Sequence, residues 1–213
     1  MLNFIKPKPK PPILAPCLDA DFPLAHFEGK IEVIDTEKKI KKAVTYLLTQ
    51  KVIGFDTETK PVFLPGKRNA NPVALLQLST DKCAYLFRLN KIGFPKELTT
   101  LLADKNILKI GAAVHEDLRH LKSLHPFKPA GFVDLQHIVH YYDILEKGVK
   151  KMAARVLQIH ISKNQQLSNW ENVELTKSQC LYAATDAWVC REIFMQLQKI
   201  KTLTQDELQI INY

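Results

Sequence analysis

"IGFDTETKP", from Ile53 to Pro61, carries an apolar run straight into two carboxylates, Asp56 and Glu58. Read as a strand, side chains alternate between faces, so Asp56 and Glu58 share one face about 7 Å apart. Phe55 and Thr57 point the other way. Two like charges beside apolar neighbours repel each other and lose hydration, and a bound cation removes both costs. Oxygen-only donors favour a hard ion, Mg²⁺ or Mn²⁺. A solvated strand end carrying two ordinary acids is the plain alternative.

Around this stretch the chain alternates in period. "FEGKIEVI" (Phe27–Ile34) has strand character, and Ile40, Ala43, Val44, Leu47 and Leu48 follow at helical spacing, with Glu37 in the first turn where the helix dipole favours an acid. "KVIGFDTET", "VALLQLST" and "CAYLFRL" lie close together and predict strands in antiparallel hairpins, with "NILKIGAAV" a further strand. After it the pattern turns helical: Leu118, Leu121 and Leu124 on one helix, "VDLQHIVHYYDIL" on the next, then "VKKMAARVL" and "TKSQCLYAATDAWVCREIFMQLQKI". Strands, then a mixture, then helices predict an α/β layer fold with a central mixed β-sheet flanked by α-helices.

Two further segments hold acids at the ends of apolar runs. In "YAATDA", Tyr182 and Asp186 are four apart and share a helix face, among Leu181, Ala183, Ala184 and Ala187. In "HEDLRHL", Asp117 falls in a first helical turn, and spacing alone leaves Glu116 open as the relevant carboxylate. His115 and His120 are five apart rather than the four of H-E-x-x-H, which excludes that zinc motif. Asp56, Glu58, Asp117 and Asp186 come from separate elements and can meet at one sheet edge. Four acids around two hard cations is the arrangement that two-metal phosphoryl chemistry needs.

Composition bounds the rest. The chain has 213 residues and a formal net charge of +8, which favours polyanionic partners, nucleic acid above all. A chain of this length buries roughly 70% of the surface it exposes when unfolded, so a core needs no disulfides. Cys17, Cys83, Cys180 and Cys190 are scattered with no C-x-x-C pair, which suits a reducing compartment. With no signal-like leader and no long apolar run, the expectation is a cytoplasmic protein without a membrane partner. Residues 1–25 form a Pro/Lys-rich arm ("KPKPKPPILAP"), with Lys6, Lys8 and Lys10 available to phosphates, and residues 26–213 the folded domain.

Three blocks in order, "GFDTET", "KIGAAVHEDLRHL" and "LSNWENVELTKSQCLYAATDAW", resemble the DEDD superfamily of 3′–5′ exonucleases in its tyrosine-bearing (DEDDy) branch. The likeness spans roughly Phe27 to Leu197. It is similar to ribonuclease D and more so to the exonuclease domain of the Werner syndrome protein. The histidine branch places a His five residues before the last Asp, where this chain has Leu181. The resemblance implies an RNase H-like fold and a two-metal exonuclease that cuts the 3′-terminal phosphodiester of DNA or RNA and releases nucleoside 5′-monophosphates. It implies Asp56, Glu58, Asp117 and Asp186 as ligands of two Mg²⁺ or Mn²⁺ ions. Asp56 would bridge the ions, and Tyr182 would orient the attacking water. It favours Asp117 over Glu116 and makes Asp134 in "FVDLQ" a helix cap. Lys67 and Arg68 in "PGKRNANP", and the "KGVKK" stretch, are candidates to hold substrate phosphates. A helicase or repair partner is expected, if at all, on a separate chain.

Two rivals remain. A catalytically inactive nucleic-acid-binding module of the same fold would lose one or more of the acids, all of which are here. A haloacid-dehalogenase phosphatase needs a second Asp where Glu58 stands and a later Asp-Asp pair, which the chain lacks.

Overall fold

The computed structural model describes residues 21–61 and 71–212, so most of the Pro/Lys-rich arm, Lys6, Lys8 and Lys10 among it, lies outside the described residues. In chain order the elements are β1 (Lys30–Ile34), α1 (Glu37–Leu47), β2 (Val52–Thr59), β3 (Val73–Ser79), β4 (Cys83–Arg88), α2 (Leu89–Ile92), α3 (Lys96–Leu102) and β5 (Leu108–Gly111). They continue with α4 (Val114–Leu124), β6 (Phe132–Asp134), α5 (Leu135–Ile138), α6 (Val149–Leu157), α7 (Lys177–Ile200) and α8 (Gln205–Leu208).

The strands form one mixed sheet in the order β1-β4-β3-β2-β5-β6. β2, β3 and β4 pair antiparallel, as hairpin proximity predicts, while β1 on β4, β5 on β2 and β6 on β5 are parallel. Helices cover both faces. On one, Ile40, Ala43, Val44 and Leu47 of α1 pack with Leu98 and Leu101 of α3, Leu118 and Leu121 of α4, and Ile53 and Phe55 of β2. On the other, Met152 and Val156 of α6 pack with Val189, Ile193 and Leu197 of α7 against Ile110 and Val133. Such two-sided cover explains why β3 is buried at every position and begins with four apolar residues in a row, Val73 to Leu76, rather than an alternation.

Two elements differ from expectation. The strand expected from Phe27 begins only at Lys30. "VDLQHIVHYYDIL", expected as one helix, splits into the end of β6, the short α5 and a 3₁₀ turn over Val139–Tyr142. Apolar residues at Phe132, Val133, Leu135, Ile138 and Val139 fit either pattern, and pairing of Lys109, Ile110 and Gly111 with Phe132, Val133 and Asp134 decides for strand. No helix among the described residues is long and apolar enough to cross a membrane.

Candidate active site

β2 and α7 meet at unusually short range, and two sequence features permit it. Ala183, Ala184 and Ala187 line the buried stripe of α7. Opposite them on β2 stands Gly54, where a Cβ would fall 1.8 Å from the Ala187 carbonyl oxygen. Only a glycine lets the helix backbone rest on the strand here. The contact sets Asp186, one residue before Ala187, over the β2 face that carries Asp56 and Glu58. One carboxylate oxygen from each of Asp56, Glu58 and Asp186 lies within 4.8 Å of the others.

Asp117 reaches the end of β2 from the opposite layer. β5 turns into α4 through Ala113, whose φ of 60° is left-handed. Asp134, 3% exposed, holds that turn: its carboxylate accepts from the Ala113 and Val114 amides at 3.1 and 3.0 Å, and from Gln136 N at 2.9 Å as the cap of α5. Asp117 then accepts a hydrogen bond from the Thr57 hydroxyl at 2.5 Å, on the strand face that alternation assigns to Thr57. Asp117 stands apart from the three-carboxylate group, yet its charge acts on both Asp56 and Glu58.

The electrostatics follow from enclosure and like charge. Burial, then the charges of Asp186 and Asp117, pushes Glu58 up to about 9. Asp56 is raised well above the carboxylate range by burial and then by Asp186, Glu58 and Asp117. Burial raises Asp186 to about 7, offset in part by a hydrogen bond from Tyr182 and the charge of Lys163. Asp117 also rises to about 7 through burial, against the lowering effect of Thr57. Without a counter-cation, part of this cluster holds protons at neutral pH.

Tyr182 lies one helical turn before Asp186 and hydrogen-bonds to it. Burial, then the charges of Asp186 and Glu58, drives its hydroxyl far above its ordinary pKa, so it remains a donor. Trp170, fully buried, sets its ring 6.0 Å from that of Tyr182. Its segment is pinned to α7: the Gln179 amide donates to the Asn169 carbonyl, and Thr176 with Gln179 forms a capping box. Composition gave no sign of these supports. The Thr57–Asp117 bond and the Trp170–Tyr182 packing join residues 60 and 12 positions apart, and no local period reports them.

A cleft of about 250 Å³ opens over the acids, lined by Asp56, Asp186, Tyr182, Lys150, Lys163 and the buried Cys190, among others. Burial, followed by the nearby carboxylates, raises the Cys190 thiol, so it is no thiolate ligand. Lys67 and Arg68 lie outside the described residues.

A sequence model described as 3′-5′ exonuclease matches residues 31–201. The chain belongs to the DEDD 3′–5′ exonuclease family. Family membership places it among the nuclease enzymes, the phosphodiester hydrolases. The exonuclease is 32% identical over 203 residues to the mouse bifunctional 3′-5′ exonuclease/ATP-dependent helicase WRN, covering 88% of this chain and 14% of that protein. It is 34% identical to the Drosophila melanogaster exonuclease 3′-5′ domain-containing protein 2, covering 80% of this chain and 30% of that protein. The chain therefore spans well under half the length of these relatives. In fold it is similar to the Aedes aegypti Nibbler EXO domain, with a TM-score of 0.73 at 24% identity over 84% of this chain and 92% of that one. It is also similar to Escherichia coli RNase D, an exoribonuclease involved in structured RNA processing, with a TM-score of 0.71 at 22% identity over 80% of this chain and 45% of that one. The mixed sheet and its flanking helices are thus the RNase H-like fold of these exonucleases.

Proposed function

We propose that this exonuclease removes nucleotides from the 3′ end of DNA or RNA with two divalent ions, releasing nucleoside 5′-monophosphates. One observation carries the reading: three carboxylates from β2 and α7 lie within 4.8 Å of one another, enclosed, with their proton affinities raised by burial. That donor set fits a hard dication, Mg²⁺ or Mn²⁺. Asp56, Glu58 and Asp186 would hold one ion, and Asp117 with a shared Asp56 would hold the second. Bound in pairs, such ions stabilise the attacking and leaving oxygens of an in-line displacement and lower the pKa of water.

The chain's own groups supply position. The Tyr182 hydroxyl, kept protonated by its surroundings, cannot act as a base at neutral pH and instead orients a water by hydrogen bonding. Thr57 holds one Asp117 oxygen by a hydrogen bond from its hydroxyl. Asp134 fixes the turn that aims Asp117. Residues 26–213 form the exonuclease domain in this reading, and residues 1–25 an arm.

The test uses 5′-labelled single-stranded DNA, recessed duplex DNA and matched RNA, each with Mg²⁺ or Mn²⁺. The expected product is a ladder shortening from the 3′ end that stops with chelator. Asp56→Ala and Asp186→Ala should abolish it with circular dichroism unchanged. Tyr182→Phe should slow turnover about 10²-fold, the loss typical of one transition-state donor, with Mn²⁺ affinity nearly unchanged. Wild-type rates in both aspartate variants would overturn the assignment.

A further inference from the structure

We propose that Gln77 is a positioning residue for Asp56: its side-chain amide N–H donates to the Asp56 carboxylate and fixes how that carboxylate meets the ions. The proposal rests on the exonuclease reading, in which Asp56 is shared between two ions, and adds what holds it in place.

Strand register puts the two side chains together. In the antiparallel pair of β2 and β3, Asp56 lies directly across from Gln77. Partners across such a pair share a face, with Cβ atoms about 5 Å apart. It is the face that α7 covers, through the approach of Ala187 to Gly54, two residues before Asp56. On that face Gln77 is bracketed by Leu75 and Ser79 along β3 and by Leu86 across on β4. Neither leucine side chain can hydrogen-bond, and the Ser79 hydroxyl already donates to the Thr80 carbonyl at 3.0 Å. Asp56 is therefore the polar neighbour on the sheet that the Gln77 amide can serve.

Packing does not account for a glutamine here. Gln77 is 0% exposed, and neither its Nε2 nor its Oε1 has a hydrogen-bond partner among the described residues. A buried amide without partners is costly, and an apolar residue of like size would fill the space without that cost. Leu76 and Leu78 on either side show that β3 takes such residues. A metal-binding carboxylate, in contrast, is an acceptor only, and donors around it set its orientation. An amide N–H is such a donor, and it adds no charge to a group of acids. The sense of the amide also follows. Trp170 packs with Leu75 and Leu86, and its buried indole N–H is likewise without a partner. An indole only donates, so Oε1 is the one amide atom it can engage, which leaves Nε2 for Asp56.

The test separates metal affinity from stability. Gln77→Met keeps an unbranched side chain, Gln77→Leu is a second apolar replacement, and Ser79→Ala removes a hydroxyl two residues along the same face. Each is titrated calorimetrically with Mn²⁺ and unfolded with urea in chelator. Both Gln77 variants should lose about 10–100-fold in Mn²⁺ affinity, the usual effect of removing a partner of a metal ligand. Their urea midpoints in chelator should equal or exceed wild type, because an unpartnered buried amide has gone. Ser79→Ala should keep wild-type Mn²⁺ affinity. In cleavage of a labelled oligothymidylate the Gln77 variants should lose kcat and keep KM, since a fully buried residue does not touch the strand. Wild-type Mn²⁺ affinity in both Gln77 variants overturns the role, and if those variants still shorten the strand the exonuclease reading stands without it. A loss of affinity that comes with lowered urea midpoints in both, or that Ser79→Ala reproduces, also overturns it. If no form of the enzyme cleaves any oligonucleotide but Mn²⁺ affinity falls as expected, the role of Gln77 stands and the exonuclease reading falls.

Discussion

Replacing Gly54 by alanine tests whether close approach of α7 to β2 builds the site. The new methyl carbon would sit 1.8 Å from the Ala187 carbonyl oxygen and 2.6 Å from its carbonyl carbon. Backbone carbon–oxygen contacts settle at about 3.3 Å or more, so helix and strand must part by roughly 1.5 Å. The obstacle is backbone, not the end of a flexible side chain, and no rotamer change relieves it. Asp186 and Tyr182 travel with α7, away from Asp56 and Glu58. A hard ion with bonds near 2 Å does not stretch to follow. A displacement of about 1 Å at a catalytic centre costs on the order of 10² in rate, so turnover should fall at least that far. Overpacking should also cost about 1–3 kcal/mol of stability. The assay pairs single-turnover cleavage of a labelled oligonucleotide with calorimetric Mn²⁺ titration and urea unfolding, at a temperature where the variant is folded. Gly148→Ala controls for the added methyl in the Mn²⁺ titration, where it should keep the wild-type affinity: its Cβ meets nothing within 4 Å and its φ of −82° suits alanine. An alanine at 54 with wild-type Mn²⁺ affinity, turnover and urea midpoint would refute the argument that this contact positions Asp186.

Three other outcomes follow from the same structure. In chelator, Asp117, Asp186 and Glu58 bind protons more tightly folded than unfolded, because burial raises them to about 7, 7 and 9. Their stabilising effect is complete below their unfolded pKa and is lost as pH rises through these values, so the metal-free melting temperature should fall from about pH 5 upward. Buried Lys109, lowered to about 7, adds the opposite slope above that pH, so the comparison is cleanest below it. Saturating Mn²⁺ should flatten the profile, since ions bind the deprotonated acids, and a metal-free profile flat from the start would contradict the burial argument. Thr57→Val removes the hydroxyl that lowers Asp117, so the acidic limb of the pH–rate profile should move to higher pH; an unmoved limb would deny Thr57 this role. Asp134→Ala strands the amides of Ala113, Val114 and Gln136 and should lower stability by about 3 kcal/mol, read as the urea midpoint.

By itself the sequence determined the elements that bear chemistry. Period-two alternation put Asp56 and Glu58 on one strand face, helical spacing put Tyr182 over Asp186, and apolar runs before each acid announced a sheet with its acids at an end. These are local patterns, and a backbone with two periods reports them directly. The ambiguity at Phe132–Val139 arose where apolar residues suit both periods, and pairing with β5 resolved it. Tertiary structure alone decided the distances. Gly54 is an unremarked strand glycine until Ala187 lies against it. Thr57 is a residue pointing away from the acids until α4 brings Asp117 to its hydroxyl. Gln77 is one polar residue in an apolar strand until register sets it across from Asp56. Each of these depends on contact between segments far apart in the chain, and such contacts follow from how whole layers pack, which no window of sequence encodes.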